Sequence, residues 1–468
     1  MYFFGELEQY ENNVAYIIDQ NRVINFSQVI AEADSFSNDL KPRQIALCIA
    51  SNTSEFFTAY LGFMRKGVVP ILLHSNCTYN DITSLINIYK PTYLFVPFHK
   101  YPKPDKYRIL NHFGSYQISI NDKNDSLLDP NLAILLTTSG TTGSSKLVMI
   151  SYDNLKSNCK SIVEYMGLSS SSRAITSLPF SYSYGLSIIN THLFVGGSVI
   201  LTENSISQSH FWDSFDSHSA THLGGVPFSF EVYKRYEKKL LASNSLRILT
   251  QAGGKLSKNL VSYFAEMCWA NSIDFFVMYG QTEATARMSY MNCEDALRKP
   301  DSVGKAIPGG EFILIDSNNE LIAQPGVEGE LVYKGPNVAM GYANSSLDLF
   351  PKNEYSDTLR TGDLAFRDHE GDIFIVGRLS RNAKINGIRI NLQEIDDHLT
   401  DEEIISATVS DDLNVYIFYR GEADQANLIS NIQGISKVRV NQIQVTRVEQ
   451  LPRTATGKID YKEVRTWI

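Results

Sequence analysis

Short apolar runs alternate with helical patterns along most of the chain. "QIALCIA" (44–50) reads as a buried strand, "NTSEFFTAYLGFMRKG" as a capped amphipathic helix closed by glycine, and "VVPILL" as the next strand. The order recurs as "SIVEYM", "RAITSLP", a helix through "SIINTHLF", then "SVILT". It recurs again as "THLGGVP", "SFEVYKRYEKKLL", "LRILTQAGG", "LVSYFAEMCWAN" and "DFFVMYG". Apolar strands separated by helices predict an α/β fold with mainly parallel sheets covered by helices. From residue 310 the pattern shortens to "GEFILID", "GELVYKG" and "GDIFIVG", strands between Gly turns, which predict a small β-barrel-like subdomain or a distorted sheet. Beyond residue 380, "EEIISATVSDD", "NVYIFYR" and "KVRVNQIQVTRV" predict a small α+β unit ending in the loop "LPRTATGKIDYKEV".

A length of 468 residues predicts two to four structural units, and 43% hydrophobic residues suffice for real cores. A net charge of -9 argues against a nucleic-acid surface or a polybasic membrane anchor. "MYFFGELEQYENN" does not resemble a targeting peptide, and no apolar run approaches the roughly 18 residues of a membrane span. The five cysteines are scattered without a CxxC pair, which fits a reducing cytoplasm and offers no zinc site. The expectation is a cytoplasmic protein with neither nucleic-acid nor membrane partners.

Candidate chemistry begins at "LLTTSGTTGSSKLVM" (135–149). The Walker spacing fails: Gly140 and Gly143 are too close, Lys146 follows two serines, and Leu147 stands where a magnesium hydroxyl is needed. Strand patterns on both sides predict a hairpin loop whose hydroxyls and N–H groups form an anion nest, with a solvated Gly/Ser turn as the plain alternative. Four further stretches interrupt strand ends, where α/β proteins bind ligands. "QAGGKLS" offers two glycines against which something flat can lie. "MYGQTEATAR" offers Tyr279 to stack and Glu283 as a hard-cation ligand. "LRTGDLAFRDHEGDIFIVGR" sets Asp363 after a Gly turn and Arg378 at a strand end; "RTATGKID" ends a loop in Lys458. Singly, each reads as an ordinary turn, a buried Tyr or a surface charge.

Together and in this order they resemble the adenylate-forming superfamily: acyl- and aryl-CoA synthetases, nonribosomal peptide adenylation domains and luciferase. The resemblance runs from "NTSEFFTAYLGFMRKGVVPILL" to "LPRTATGKID" and includes "TSGTTGSSK", "LPFSYSYGL", "GGVP", "YGQTE", "GELVYKGPNVAMGY", "RTGDLA", "GRLSRNAKINGIRI" and "TGK". It implies a reaction in which a carboxylate attacks the α-phosphorus of ATP and pyrophosphate leaves. Thr138, Ser139, Gly140, Thr141, Thr142, Gly143 and Lys146 would then wrap the β- and γ-phosphates. Thr282 and Glu283 would hold the α-phosphate and Mg²⁺. Gly253, Gly254, Lys255, Tyr279 and Gly280 would frame the adenine, Asp363 would take the ribose hydroxyls, and Arg378 would lie near ribose and phosphate. Lys458 would bridge the carboxylate and the α-phosphate.

The resemblance also implies two domains, 1–377 for ATP and acid and 381–468 as a mobile lid carrying the catalytic lysine, joined by a hinge at 378–380. Rotation about Ser380, where the family usually has Asp or Lys, would bring Lys384 and Gly387 to the site. A phosphopantetheine thiol, of CoA or a holo carrier protein, would then take the acyl group. Acids slightly outnumber bases from residue 381 onward, so charge does not choose between the two acceptors.

Amino-acid-activating members carry an aspartate for the substrate ammonium where this chain aligns Ser183. An unpaired ammonium is costly to bury, so the resemblance implies an acid–thiol ligase for a small acyl or aryl acid. An amino-acid adenylation enzyme with an atypical pocket and a non-catalytic scaffold are the alternatives. Tyr182 would gate the acid tunnel, and Ser183, Tyr184, Ser187, Gly224, Thr250, Ala252, Met278, Ala286 and Arg287 would line the pocket, the glycines leaving room. Arg287 stands where family members usually have a small or apolar residue. It would either turn outward or pair with Glu283, or else read a polar group on the substrate.

Overall fold

A computed structural model describes the chain apart from residues 1–2, 19–21, 102–103, 124–127, 138–145, 352–354, 386–387, 402–403, 412, 437 and 455–456, and apart from the side chains of 380, 382, 384, 388, 389, 401 and 435. The α/β reading holds. An eight-stranded sheet is built around parallel strands Ile45–Ala50, Val69–His74, Tyr93–Pro97 and Leu132–Thr137, with antiparallel strands at both edges. A nine-stranded sheet carries parallel strands Val14–Ile18, Ser198–Leu201, Arg173–Ile175, His222–Gly225, Ile248–Gln251 and Asp274–Tyr279.

Helix Ser54–Lys66 shows how local chemistry sets these elements. Thr53 caps it by accepting from the Phe56 N–H, and Gly67 ends it at φ 76°. Its residues Phe56–Met64 are all buried, so it is a core helix rather than a surface one. Helix Ser183–Phe194 is buried along nearly its whole length and contributes Leu186, Ile189 and Leu193 to an apolar core that also holds Phe180.

Strands Glu311–Ile315, Gly329–Lys334, Thr358–Arg367 and Ile373–Arg378 form the subdomain expected after residue 310. Of the two forms considered, they adopt a distorted antiparallel sheet, with register shifts at Glu330/Val332 and Leu364/Ala365. The C-terminal segment has a hairpin, Asn382–Ile385 with Ile388–Asn391, and a three-stranded sheet, Ile405–Ser410, Val415–Arg420 and Ile443–Arg447. Its apolar clusters contain described residues from Ala383 onward only, whereas the clusters of the larger part end at Ile375. Among the described residues, no helix is long and apolar enough to cross a membrane.

Candidate active site

The predicted phosphate hairpin is present at its base. Strands Leu132–Thr137 and Leu147–Ser151 pair antiparallel, with Thr137 opposite Leu147. Thr138 to Gly143 lie outside the described residues. Lys146, at the returning strand, holds its Nζ 3.3 Å from the ring centroid of Tyr342. Tyr342 in turn donates to Glu283 Oε1 at 2.7 Å. Strand Gly341–Ala343 pairs with the hairpin's second strand, Tyr342 opposite Val148, and that register puts the tyrosine between lysine and glutamate. Reading the sequence did not single out Tyr342, although it sits in the quoted "GELVYKGPNVAMGY".

Glu283 rides on a 3-10 turn, Thr282–Ala284, just past strand Asp274–Tyr279. Asn337, which is buried, fixes this turn: its Nδ2 donates to the carbonyls of Ala284 and Arg287, both at 2.9 Å, and its own carbonyl accepts from Thr285 Oγ1 at 2.7 Å. Thr282 Oγ1 lies 3.2 Å from Ser183 Oγ, so the first turn of the buried helix and the Thr282 turn meet at one point.

Asp363 gathers a second group. It is buried, accepts from the Tyr279 hydroxyl and from Gln281 Nε2 (3.0 Å), and pairs with Arg378 Nε at 2.7 Å. Arg378 stands directly opposite Asp363 on the neighbouring strand. Burial, then the Asp363 charge, holds the Tyr279 phenol well above its usual range. Gln281, also unremarked in the sequence, clips this arrangement to the Thr361 carbonyl at 3.0 Å. Gly280 lies between Tyr279 and this clip in the chain, so two of the expected adenine-side residues, Tyr279 and Gly280, sit near Asp363.

Lys458 arrives from the C-terminal segment. Gly457 precedes it at φ 81°, and a Cβ there would stand 3.2 Å from Val226 Cγ2, so the loop lies directly against the larger part. Arg453 supports it, donating to the Gly457 carbonyl at 2.9 Å, with its guanidinium 4.0 Å from Glu231 and 5.1 Å from the centre of the Phe228 ring. Burial pushes the Lys458 ammonium down to about 8; Arg378 adds to this, while Asp363 and Glu283 oppose it. All three charges are thus within electrostatic reach of Lys458.

Lys255 directs its ammonium to the C-terminal segment, where it pairs with Asp397 at 2.9 Å. Gly253 and Gly254 remain at the strand end, and Tyr182 lies over Gly253, where a Cβ would come within 2.5 Å of its hydroxyl. Gly224, expected to leave room in the acid pocket, instead admits neighbours to the strand. A Cβ on Gly224 would meet Ile188 Cδ1 at 2.7 Å and the Tyr184 hydroxyl at 3.2 Å.

The remaining pocket residues do come together. Tyr182, Tyr184, Ala252 and Met278 share one buried cluster with Tyr165, Ile188 and Val226, and Ala286 is buried beside Arg287 in the chain. Tyr184 donates to the carbonyl (2.8 Å) or Oγ1 (2.9 Å) of Thr250. Ser187 turns away and donates to the Tyr184 carbonyl at 2.7 Å. Arg287 neither turns outward nor pairs with Glu283: it is 1% exposed, its guanidinium carbon is 4.1 Å from the Tyr184 ring centroid, and its Nε contacts Met278 Sδ at 3.2 Å. The backbone of Ser380 lies in the turn Leu379–Arg381 and that of Lys384 in strand Asn382–Ile385; their side chains, and Gly387 altogether, lie outside the described residues.

A model of the AMP-binding enzyme family matches residues 3–343. The 4-coumarate–CoA ligase-like protein 6 of Arabidopsis thaliana is 27% identical over 358 residues, covering 71% of this chain and 62% of its own length. This chain therefore spans less than two thirds of that relative. Luciferin 4-monooxygenase of Photuris pensylvanica is 24% identical over 469 residues, covering 90% of this chain and 84% of its own. The structure of O-succinylbenzoate coenzyme A synthetase from Bacillus subtilis, in complex with ATP and magnesium, shares the fold. It has a TM-score of 0.76 at 20% identity and covers 98% of this chain and 99% of that one.

Proposed function

The chain belongs to the AMP-binding enzyme family, and on that premise we propose that it is an ATP-dependent acid–thiol ligase for a small acyl or aryl acid. In the first half-reaction a carboxylate oxygen of the acid attacks the α-phosphorus of ATP. The bond from that phosphorus to the bridging oxygen breaks, and acyl-AMP and pyrophosphate result. Two anions must approach each other, so neutralising charge and alignment supply most of the catalysis. Lys458 answers the charge between carboxylate and α-phosphate. Lys146 and the hydroxyl-rich loop take the departing phosphates, and Asp363 takes the ribose hydroxyls beside Arg378.

Magnesium fits the residues present: Glu283 is a half-buried carboxylate with Tyr342 on Oε1, an oxygen donor of the kind a hard cation shares with phosphate and water. When bound, it would neutralise phosphate charge. Glu283 would hold it, and Tyr342 would orient Glu283.

In the second half-reaction residues 381–468 turn about 378–380, Lys458 withdraws, and a thiol of CoA or of a carrier protein displaces AMP from the acyl carbon. The convergence of Lys458, Arg378, Asp363 and Glu283 from distant parts of the chain carries the reading. Arg287 disfavours an amino acid, whose ammonium would meet a buried guanidinium rather than a carboxylate.

The test is acid-dependent pyrophosphate release over a panel of acids, followed by thioester formation with CoA and with a holo carrier protein. Release with one class of acid, then capture by one thiol, is the expected result. A chain that releases no pyrophosphate with any acid, yet binds ATP, would be a scaffold instead.

A further inference from the structure

The acid pocket holds a charge that this chain does not answer. Arg287 is 1% exposed, and among the largest side chains it is one of the most completely buried. Its Nε is turned to a sulfur, Met278 Sδ, which is a weak acceptor and also receives the Tyr165 hydroxyl at 3.2 Å. Its Nη1 is buried with no hydrogen-bond partner. Its guanidinium carbon stands 4.1 Å from the centre of the Tyr184 ring, which supplies a cation–π attraction but no countercharge.

The groups around it stay neutral. Burial pushes the phenols of Tyr165, Tyr182 and Tyr184 up, so none becomes a phenolate. His222, whose Nε2 lies 3.0 Å from Thr250 Oγ1, is held neutral by burial and by the neighbouring His192 and Arg287. Among the described residues, no carboxylate forms an ion pair with Arg287. A buried guanidinium without a partner is destabilising, and chains keep one where something else completes it.

The backbone beneath it is tied down. Asn158 Nδ2 and Asn337 Nδ2 both donate to the Arg287 carbonyl, at 3.1 and 2.9 Å, and Asn337 also holds Ala284 in the turn bearing Thr282 and Glu283. The guanidinium is thus carried on backbone tied to the turn of Thr282 and Glu283, beside the Tyr184 ring, whose centre lies 6.2 Å from that of Tyr182.

Resting on the acid-activating reading above, we propose that Arg287 binds a second carboxylate on the substrate, so that the acid activated is a small dicarboxylic acid adenylated at one end only. Arg287 anchors the distal carboxylate through Nη1, and the other carboxylate lies toward Thr282 and Lys458. The anchor also excludes amines and disfavours purely apolar acids, which leave the guanidinium unpaired.

The experiment compares linear dicarboxylic acids from malonate to adipate, and phthalate, with their monomethyl esters and with monocarboxylic acids of equal length. Acid-dependent pyrophosphate release is measured on the full chain, on Arg287→Met and on Arg287→Lys. The unaltered protein should favour one dicarboxylic acid over its monoester by roughly 30-fold or more in kcat/KM, the scale of one charged buried hydrogen bond. Arg287→Met should erase that preference, chiefly through the KM for the acid and with the KM for ATP unmoved, and Arg287→Lys should restore part of it.

Thermal shift with ATP and each acid gives a reading independent of turnover. The preferred dicarboxylic acid should raise the Tm of the unaltered protein and not that of Arg287→Met. A preference for monocarboxylic acids, or one that survives Arg287→Met, overturns the proposal while leaving acid activation intact. If no acid releases pyrophosphate, acid activation fails. A dicarboxylate-specific Tm shift that depends on Arg287 would still support the anchor, and its absence would overturn it too.

Discussion

Lys458 is a group whose charge is held near its limit. Burial pushes it down to about 8, so the ammonium is complete below that pH and is lost as pH rises through it. Because kcat/KM reports the free enzyme, the adenylation step should fall on an alkaline limb with a midpoint near 8. Lys458→Arg keeps its charge and should move that limb to higher pH. Lys458→Ala should lower adenylation by roughly 100-fold or more, on the scale of losing a preorganised charge at the transition state. Thioester formation from synthetic acyl-AMP should survive the alanine. Equal loss of both half-reactions would remove Lys458 from its assigned role. Glu283→Gln and Tyr342→Phe make a graded pair at the other pole. The first should cripple magnesium-dependent turnover. The second removes one hydrogen bond to Glu283, about 1 kcal/mol, and should raise the magnesium requirement only several-fold. Equal effects from the two would mean that Glu283 merely positions the tyrosine.

The turn from Thr282 to Arg287 bears residues proposed for both substrates, and one buried residue, Asn337, holds it. Thr285 sits at φ 66°, a backbone state that costs a β-branched residue energy, and Asn337 holds it there through its carbonyl and its amide. Asn337→Ala removes one of two donors from each of two carbonyls and takes the acceptor Oδ1 from the buried Tyr333 hydroxyl, which should cost about 2 kcal/mol, visible as a lower Tm. It should also weaken the acid and ATP steps together, because Glu283 and Arg287 share the turn. A variant with unchanged Tm and turnover would show that the turn holds itself. Elements like this mark where the sequence stops being legible. The strands, the capped helix Ser54–Lys66 and the hairpin of residues 132–151 follow from local period, cap and turn chemistry. Asn337 and Tyr342 could not be read that way, since their roles depend on pairing across long sequence separations that no local period encodes. The same holds for Lys255, whose partner Asp397 lies in another core, and for Gly224, whose emptied space is filled by side chains from a distant helix.

At the scale of the molecule, the proposed reaction needs two orientations of residues 381–468, and the structure has the one that brings Lys458 to the site. Among the described residues, polar side chains supply several of the contacts that hold this orientation. Lys255 pairs with Asp397 at 2.9 Å, Arg453 lies near Glu231 and Phe228, and Asn391 Nδ2 donates to the Val376 carbonyl at 2.8 Å. Half-exposed ion pairs contribute at most about 1 kcal/mol each, which suits a docking that must be undone in every cycle. A contact present in only one orientation shifts the balance by its own energy and no more. Asp397→Ala should therefore slow adenylation by up to about 5-fold, with the KM for ATP little changed, because the residue lies outside the nucleotide site. Thioester formation from synthetic acyl-AMP should be unaffected or faster, since the second orientation no longer competes with that ion pair. The charge-reversed double variant Lys255→Asp with Asp397→Lys should recover most of the loss, and salt should mimic the single variant. If Asp397→Ala slows both half-reactions alike, the ion pair only stabilises the C-terminal unit, and the orientation is held by the Arg453 loop instead.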